Sequence, residues 1–476
     1  MNSHNNRAAT DLSAESRNVA GGIYSLDPVW SLEGRGVTCA SLAEDMDADV
    51  VIVGAGFTGL WAAYYLLEAD PGLRVVILER EYAGFGASGR TGGWCSAVFP
   101  VALEKVAEMT SPDAALRLQN AMNDTVDEVG RVAAVEGIDC HYDKSGNIAL
   151  ARSQAQLSRA RKALTAASEF GLAKQTQFVS PSEARAMVNA TDVLGGLYTE
   201  HCAVIQPELL VQGLLDTVKR RGAKVFEQTA VQRIGDKKAV TPRGTVNADV
   251  IIRATEAYTP QLPGYERVVV PIYSLVVATE PLPADVRAEI GLAQRTAFTD
   301  LRHLRIYGQA TADGRIVFGG RGAPYHFRSR VSPSFDNEED AHRRIMTTLL
   351  GLFPALAQTR ISHAWGGPLG LPRDWHPSVG YDVSSGVAWA GSYVGDGVAM
   401  SNLAGRILQS LILGTGSDVL DLPLVNHHSP LWEPEPFRWL GINSGIRVAS
   451  VGDIEERLTG RPSKLAGALA RITGGH

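Results

Sequence analysis

Residues 49–79 constrain the fold most strongly, because a buried strand, a glycine-rich turn, a helix and a second strand follow one another there. Residues 49–53, DVVIV, have the β-branched apolar bias of a buried strand, and residues 54–59 read GAGFTG, a G-x-G-x-x-G pattern. Apolar side chains at helical spacing follow, and a second apolar strand, residues 74–78, ends in Glu79. This order indicates a dinucleotide-binding βαβ unit.

Each position of this turn has a physical role in holding a phosphate. Gly54 permits the tight turn, Gly56 lets a pyrophosphate approach the backbone, and Gly59 allows the helix to pack against the strand. The helix N-terminus offers unpaired N–H groups and the positive end of its dipole to the phosphates. Glu79 is placed to accept hydrogen bonds from a ribose hydroxyl. We therefore predict a bound dinucleotide, with an ordinary βαβ turn as the alternative.

A second glycine-rich segment, residues 84–93, GFGASGRTGG, indicates which dinucleotide is bound. Its composition excludes a helix or a central strand and is typical of a loop that lies against a flat or anionic ligand. With the first turn, it resembles the FAD-dependent amine and amino-acid oxidoreductases of the D-amino-acid oxidase superfamily, most of all the γ-glutamylputrescine oxidoreductase-like branch. The resemblance extends over roughly residues 24–425 and implies FAD as the cofactor. It also implies that Ser88, Gly89 and Arg90 lie along the FAD pyrophosphate, and that Gly92 and Gly93 lie near the flavin ring.

Length and composition bound the remaining possibilities. The chain has 476 residues, too many for one compact core, so two interleaved domains are expected. Its net charge of −6 gives no electrostatic case for nucleic acid or an anionic membrane. No apolar run approaches a membrane span, and residues 1–17 lack the apolar stretch of a secretory signal. We expect a cytoplasmic protein without a metal site, whose four cysteines are reduced; Cys95, just beyond the second glycine segment, is a buried thiol or, less simply, a covalent link to the flavin.

The pattern of elements predicts an α/β protein in which a Rossmann-like FAD-binding domain is interleaved with an α+β substrate domain built on an antiparallel sheet. The predicted segments are a disordered leader (1–23), an arm (24–47), the FAD-binding domain (48–100, 195–265 and 360–430), the substrate domain (101–194 and 266–359) and a C-terminal extension (431–476). Within the extension only a short helix, residues 453–458, is predicted, and no function is assigned to it.

A further strand, turn and helix occurs at residues 387–413, where residues 391–398 read GSYVGDGV. In the family, the matching helix points its N-terminus at the pyrimidine end of the flavin, where its dipole stabilises negative charge on the reduced ring. Many relatives have His where this chain has Asp396. Because a carboxylate there would oppose an anionic reduced flavin, we expect Asp396 to cap the helix with its side chain turned away.

The predicted site has a well-defined cofactor part and a less defined substrate part. The cofactor positions are Gly54, Gly56, Phe57, Thr58, Gly59, Glu79, Arg80, Ala87, Ser88, Gly89, Arg90, Gly92, Gly93, Val231, Ala254, Thr255, Gly366, Gly391, Val394, Gly395, Asp396, Gly397 and Val398. The substrate-side candidates are the aromatic residues Trp94, Tyr273, Tyr307 and Trp365, any of which is alternatively core, and Arg302, His303 and Arg305, of which Arg302 is taken as the candidate partner for a substrate carboxylate. Glu256 departs from the Asn or Gly usual in the family, and either lies on the surface or alters the pocket rim.

We therefore predict an FAD-dependent oxidoreductase that oxidises a C–N bond of a primary or secondary amine, with a γ-glutamylated polyamine as the candidate implied by the resemblance. Hydride transfer to flavin N5 would give an imine that hydrolyses to a carbonyl compound, and oxygen or another acceptor would then take the electrons. One alternative is an amino-acid oxidase or dehydrogenase of the glycine or D-amino-acid type. A non-catalytic FAD-binding protein is the alternative from another class, and a pocket sealed over the flavin would favour it.

Overall fold

The structure is a computed structural model that describes residues 24–32 and 38–473. Its strands form two eight-stranded sheets and one two-stranded ribbon in this part of the chain. The strands, numbered along the chain, are β1 Met46–Val53, β2 Val75–Leu78, β3 Trp94–Ser96, β4 Asn147–Leu150, β5 Gln177–Val179, β6 Gly196–Thr199, β7 Cys202–Val204, β8 Lys224–Phe226, β9 Arg233–Gly235, β10 Lys238–Val240, β11 Thr245–Arg253, β12 Val270–Thr279, β13 Ala297–Asp300, β14 Ile306–Ala310, β15 Ile316–Gly320, β16 Ile361–Leu371, β17 Ser378–Asp382 and β18 Val387–Gly391.

Helices occupy much of the remaining chain, and none of those described is long and apolar enough to cross a membrane. The α-helices are Phe57–Ala69, Ala87–Arg90, Leu103–Met109, Pro112–Val135, Gln154–Glu169, Pro181–Met187, Pro207–Arg220, Ala284–Ile290, Glu339–Leu352, Gly397–Leu413, Phe437–Thr459 and Lys464–Thr473. Short 3₁₀ turns are Glu256–Gln261, Phe327–Ser329, Pro333–Asp336, Pro354–Gln358 and Asp418–Asp421.

Six strands of the first sheet have the order β17-β18-β11-β1-β2-β8, parallel from β18 to β8. The other two are β10, antiparallel to β11, and β9, antiparallel to β10. The central strand of the sheet, β1, is buried on both faces. Val50 and Ile52 pack against the helix Phe57–Ala69, and Val51 and Val53 pack on the opposite side in a second apolar cluster. Burial on both faces explains why the strand reads as a continuous apolar run rather than as an alternating pattern.

The second sheet has the order β16-β12-β15-β14-β13-β4-β6-β5. It differs from the predicted antiparallel sheet in one pair, because β13 and β4 run parallel. It also contains β6 and β16, which lie in segments that the sequence analysis assigned to the FAD-binding domain. In β16, the Gly366 carbonyl accepts a hydrogen bond from Arg90 Nη1 at 3.1 Å, and the Gly370 N–H donates to Glu256 Oε1 at 3.2 Å. Because the strand itself pairs with β12, it joins the two units rather than belonging to the first.

The ends of the chain pack on these sheets. The predicted leader, residues 1–23, lies outside the described residues. In the arm, Trp30 is buried and its Nε1–H donates to the Thr91 carbonyl, with 2.8 Å between nitrogen and oxygen. The short helix predicted at residues 453–458 is one part of the much longer helix Phe437–Thr459. Glycines within this segment weaken its helical signal, which is why the sequence analysis underestimated its length.

Contacts with the helix Gln154–Glu169 and with the loop between β13 and β14 hold this C-terminal helix in place. The buried carboxylate of Glu456 accepts hydrogen bonds from Arg159 Nη1 and Nη2, at 2.8 and 2.6 Å. His303 Nε2 lies 2.9 Å from Glu456 Oε1, and the His303 backbone N–H donates to Asp453 Oδ1. Potential metal-ligand atoms of His303, Asp453 and Glu456 lie within 4.8 Å of one another, but hydrogen bonds within the protein engage all three residues.

Candidate active site

A cavity of about 2160 Å³ brings together loops of the first sheet, strands of the second sheet and the C-terminal helices. Most predicted cofactor positions line it: Gly54, Gly56, Phe57, Thr58, Glu79, Arg80, Ala87, Ser88, Arg90, Gly92, Val231, Ala254, Thr255, Val394, Gly395, Asp396, Gly397 and Val398. The predicted positions outside this lining are Gly59, Gly89, Gly93, Gly366 and Gly391.

The first glycine turn is compressed between β11 and the helix that follows it. Gly54 has a φ of +110°, and a Cβ there would lie 2.6 Å from the Ala254 carbonyl oxygen. A Cβ at Gly59 would lie 2.0 Å from the Gly54 carbonyl oxygen. Gly59 therefore serves helix–strand packing rather than the cavity wall, as its role in the turn predicted.

The N-terminus of the helix Phe57–Ala69 opens toward the cavity. Gly56 occupies its N-cap position and has no side chain with which to cap it. The Phe57 N–H donates to Ser88 Oγ, 2.8 Å away, which attaches the second glycine segment to the first turn. The Thr58 hydroxyl lies 3.0 Å from the Tyr393 hydroxyl, so the turn after β18 is attached as well. Three loops thus meet at one positive helix end, a suitable place for a pyrophosphate.

Glu79 lies at the end of β2, on the cavity wall. Its carboxylate accepts the N–H groups of Ala55 and Glu81, at 2.8 and 2.9 Å, and burial raises its pKa. The side chain therefore holds the first turn as well as facing the cavity. Its predicted contact with a ribose hydroxyl stays a prediction.

The second glycine segment departs from expectation, because Ala87–Arg90 forms one helical turn. The Arg90 side chain is bound to protein atoms: Nε donates to the Phe85 carbonyl at 2.8 Å, and Nη1 donates to Asp336 Oδ2 at 2.5 Å. These bonds join the segment to the second domain. In this arrangement Ser88 and the backbone, rather than the Arg90 guanidinium, are the groups left to meet a pyrophosphate.

The two glycines at the end of this segment approach strand β14. A Cβ at Gly92 would lie 2.3 Å from the Tyr307 ring, and one at Gly93 would lie 2.1 Å from Gln309 Nε2. Gln309 Nε2 also donates to the Gly92 carbonyl, 2.5 Å away. Side chains at these positions would push the loop away from β14. The predicted position of the flavin ring near them remains a prediction.

Asp396 does not cap its helix, contrary to the sequence-based expectation. It occupies the N-cap position of Gly397–Leu413, but within the described chain its side chain makes no capping hydrogen bond. Its Oδ1 instead accepts from Ser96 Oγ at 3.2 Å. Burial raises the pKa of Asp396, and the positive charges of Arg305 and Arg321 act against that rise. Asp396 lines the cavity, where the charges of these two arginines attract its carboxylate.

Glu256 is partly buried and lines the cavity where the two sheets meet, so it alters the pocket rim rather than lying on the outer surface. Its φ of +40° explains why Asn or Gly suits this position. Its Oε2 accepts the Ser392 N–H at 2.7 Å and its Oε1 accepts the Gly370 N–H at 3.2 Å. Burial raises its pKa to about 7. The carboxyl group therefore joins the turn after β18 to strand β16.

Two predicted aromatic wall residues, Tyr273 and Trp365, belong to the core and do not line the cavity. The Tyr273 hydroxyl accepts the Ser332 N–H, 3.3 Å away. Trp365 Nε1–H donates to the Arg90 carbonyl at 2.9 Å. In β12, Ser274 and Val276 face the cavity, so the alternation of the strand turns Tyr273 to the opposite face.

The other predicted substrate residues line the cavity but are engaged differently. Trp94 and Tyr307 meet edge to face, with ring centroids 6.1 Å apart. The Tyr307 hydroxyl lies 2.9 Å from Ser274 Oγ. Arg302 makes two 2.6 Å hydrogen bonds to buried Asp300, so its charge already has a partner. Cys95 is fully buried outside the cavity lining, which does not support the covalent link to the flavin.

The structure places Arg305, one of the sequence-based candidates, beside Arg321, which was not among them. The Arg321 N–H donates to the Arg305 carbonyl at 3.0 Å, so the two residues are neighbours at the ends of β14 and β15, and both line the cavity. Arg321 Nη2 donates to the Val394 carbonyl at 2.5 Å, and burial together with the charge of Arg305 lowers its pKa to about 10. The Arg305 guanidinium makes no hydrogen bond or close ion pair with the described residues. The only sequence signal for Arg321 was its charge within the glycine-rich segment at residues 319–322.

A substitution in the first turn tests whether it holds the cofactor. We expect Gly54→Ala to lower FAD affinity at least about tenfold, because it adds a clash with the Ala254 carbonyl to the strain of a positive φ. Gly222→Ala is the matched control, since Gly222 has a φ of +104° and open space around its Cβ position. The FAD content of the purified variants, read from their visible spectra, measures the effect. Equal FAD loss in both variants would contradict a specific role for the turn.

Glu256 generates a prediction about pH. Its pKa is raised from 4.5 to about 7, so the unfolded chain releases this proton first, and the group's contribution to stability is lost as pH rises from about 4.5 through 7. The resulting loss in the free energy of unfolding is on the order of 3 kcal/mol. In Glu256→Gln this part of the pH dependence should disappear, whereas exposed Glu455→Gln should keep the wild-type profile. Denaturant unfolding midpoints of the three proteins, recorded between pH 5 and pH 8, measure this dependence. Parallel pH profiles for wild type and Glu256→Gln would contradict the assignment to Glu256.

The arrangement fits FAD: a turn without room for side chains, a buried acid after β2, and two helix N-termini open to one long cavity. The chain matches the DAO family model, described as FAD dependent oxidoreductase, over residues 49–411. It is 28% identical to the gamma-glutamylputrescine oxidoreductase of Escherichia coli K12 over 379 residues, which cover 79% of this chain and 85% of that protein. It is 29% identical to a probable oxidoreductase, OrdL, of Haemophilus influenzae over 377 residues, 77% of this chain and 83% of that protein.

Solved structures show the same fold. Glycine oxidase from Geobacillus kaustophilus superposes with a TM-score of 0.66 at 22% identity, covering 80% of this chain and 99% of that one. These matches confirm the fold class, the FAD cofactor and the amine or amino-acid oxidoreductase class predicted from the sequence. The chain belongs to the DAO family of FAD-dependent oxidoreductases.

Proposed function

We propose that the protein oxidises the C–N bond of a primary or secondary amine that also carries a carboxylate. The observation that supports this substrate class most directly is the Arg305–Arg321 pair in the cavity wall. Amino acids and γ-glutamylated polyamines both have this combination of groups. Simple diamines lack the carboxylate and fit the cavity less well.

The electrostatics of the arginine pair favour a bound anion. Two like charges at directly opposed strand positions repel one another. Asp396 is the acidic group whose charge acts on both, yet no carboxylate oxygen of the described residues lies within 4.0 Å of either guanidinium. One negative charge against two positive ones leaves an excess that a substrate carboxylate would neutralise. Arginine suits that role because its fork of N–H groups matches both carboxylate oxygens.

The neighbouring side chains would orient the amine and exclude water from it. Trp94, Tyr307 and Val276 form an aromatic and apolar wall beside the arginine pair. Such surroundings disfavour a charged ammonium group, so a bound amine is kept neutral. When bound, FAD would supply the acceptor for a hydride from the carbon beside that nitrogen, and the imine would hydrolyse to a carbonyl compound. Orientation and desolvation can lower much of this barrier without a dedicated base.

The relatives support the same substrate class. Glutamylputrescine and glycine, named for the E. coli and Bacillus subtilis relatives, each carry an amine and a carboxylate. The arginine pair also favours the second candidate function, an amino-acid oxidase or dehydrogenase, over oxidation of unsubstituted amines. The cavity, at about 2160 Å³, exceeds the roughly 300–1,000 Å³ typical of a single-ligand site, which leaves space for a substrate beside the cofactor and does not support a non-catalytic protein.

Anaerobic reduction of the holoenzyme tests the proposed class. We expect γ-glutamylputrescine, or an amino acid such as glycine or D-alanine, to bleach the flavin bands, and putrescine to bleach them far more slowly. Faster bleaching by γ-glutamylputrescine would support the polyamine substrate, and bleaching by amino acids alone would support the second candidate. Admitting air then separates oxidase from dehydrogenase. Equal bleaching by putrescine would contradict a carboxylate subsite.

The arginine pair makes a second prediction. Arg305→Gln should raise KM for the bleaching substrate about a hundredfold, because one charge-assisted hydrogen-bonding partner of the carboxylate is removed. The same variant should change little the KM for the analogue in which the substrate carboxylate is replaced by an amide. Arg305→Lys should recover part of the affinity, and Arg344→Gln, which neutralises an exposed arginine outside the cavity lining, should behave as wild type. Steady-state kinetics measure all four proteins, and an unchanged KM in Arg305→Gln would rule out this role.

A further inference from the structure

The outward face of the C-terminal helices is unusually apolar. The described residues include fourteen exposed large apolar side chains, and eight of them lie within residues 431–465. They are Leu431, Phe437, Trp439, Leu440, Val451, Ile454, Leu458 and Leu465. Scattered exposed apolar residues are ordinary, but a concentration of this kind in one short segment indicates a binding surface.

Five of these residues form a single stripe along the helix Phe437–Thr459. They are Phe437, Leu440, Val451, Ile454 and Leu458, whose spacings of three, four, seven and eleven residues keep them on one side of an α-helix. Leu458 is 77% exposed and Phe437 is 67% exposed. The opposite side of the same helix, with buried Arg438, Gly452 and Glu456, packs on the protein. Leu440, Val451, Ile454 and Leu458 therefore form an outer surface away from the cavity, whereas Phe437, at the start of the helix, also lines the cavity.

The charges around the stripe are mostly positive. Arg447 and Arg457 on the first helix, Arg461 between the helices and Lys464, which also lines the cavity, are exposed. As far as the side chains of this segment are described, the one exposed acid on the two helices is Glu455. None of the four cations has an ion pair within 4.0 Å among the described residues. This local excess contrasts with the net charge of −6 for the chain. Net charge alone, on which the sequence analysis relied, does not reveal it.

We propose that this face of the C-terminal helices binds the surface of an anionic lipid bilayer. An apolar stripe flanked by cations is the arrangement of helices that lie in the plane of a bilayer interface, with apolar side chains at the acyl boundary and cations near phosphates. Trp439, exposed beside the stripe, suits the headgroup level. Arg447 lies within the stripe, and its flexible side chain can extend its charge to the phosphates.

A second copy of this chain fits the same face less well. Arg447 lies near the middle of the stripe, ten residues after Phe437 and eleven before Leu458. Parallel pairing of two stripes in register, or antiparallel pairing with full overlap, would bring Arg447 close to its own copy across the two-fold axis. Burying two like charges together is costly, whereas a bilayer supplies an opposite charge at that depth.

Bilayer binding would also place the cavity close to the lipid. Ile442, Ile446 and Ala449 of the same helix line the cavity. Only the diameter of one helix, about 10 Å, therefore separates the cavity from the proposed lipid surface.

Sedimentation with vesicles tests the proposal on the full-length holoenzyme. We expect binding to vesicles of phosphatidylcholine with phosphatidylglycerol, little binding to phosphatidylcholine alone, and weakening by 0.5 M salt as charges are screened. Ile454→Ser/Leu458→Ser should lower partitioning about tenfold or more. Arg447→Gln/Arg457→Gln should lower it on anionic vesicles only.

Matched variants separate this surface from general stickiness and misfolding. Val135→Ser/Val383→Ser removes two apolar side chains of similar exposure elsewhere, and should bind vesicles as wild type does. Visible flavin spectra and circular dichroism verify that each variant is folded. Absence of vesicle binding by the wild type would overturn the proposal, as would a self-association in ultracentrifugation that Ile454→Ser/Leu458→Ser abolishes without any binding to lipid.

Discussion

The structure depends on the absence of space between the first glycine turn and its neighbours. A side chain at Gly54 would meet the Ala254 carbonyl of β11, and one at Gly59 would meet the backbone of the turn itself. This close approach fixes the helix Phe57–Ala69 against the central strand β1 and directs its N-terminus into the cavity. Ser88 and Tyr393 then attach two further loops to that helix end through hydrogen bonds, so the cofactor site forms as one unit.

Polar contacts between the domains carry this arrangement to the substrate side. Arg90 binds Asp336, Glu256 accepts N–H groups from β16 and from the turn after β18, and Arg321 donates to the Val394 carbonyl. Each of these groups is largely buried and has partners. Arg305 differs, because its guanidinium faces the cavity and makes no hydrogen bond within the described residues. This uncompensated charge is the basis of the proposed preference for carboxylate-bearing amines.

The sequence predicted those parts of the fold that depend on local patterns. The turn at residues 54–59 and the apolar strands around it follow from spacing alone, and the glycine segments indicated FAD through resemblance. Tyr273 and Trp365 were misplaced because an apolar strand does not reveal which of its faces meets the cavity. The orientation of Asp396 depends on two arginines distant in sequence. Arg305 and Arg321 become neighbours only through the register of β14 with β15, which no local pattern encodes.

The length of the C-terminal helix was also not predictable from local sequence patterns. Gly441, Gly445 and Gly452 interrupt its helical signal, and only packing on the helix Gln154–Glu169 through Glu456 reveals it as one long element. Its outward apolar stripe is likewise visible only once its inner face is known.

Binding of unreactive carboxylates to the oxidised holoenzyme tests the central proposal, that the arginine pair forms an anion site in the cavity that holds the cofactor. Difference absorption spectra recorded during titration with acetate, and separately with acetamide, require no knowledge of the true substrate. The account predicts a saturable shift of the flavin bands with acetate that is absent with acetamide and lost in Arg305→Gln. An equal shift with acetamide, or no shift with either compound, would contradict it.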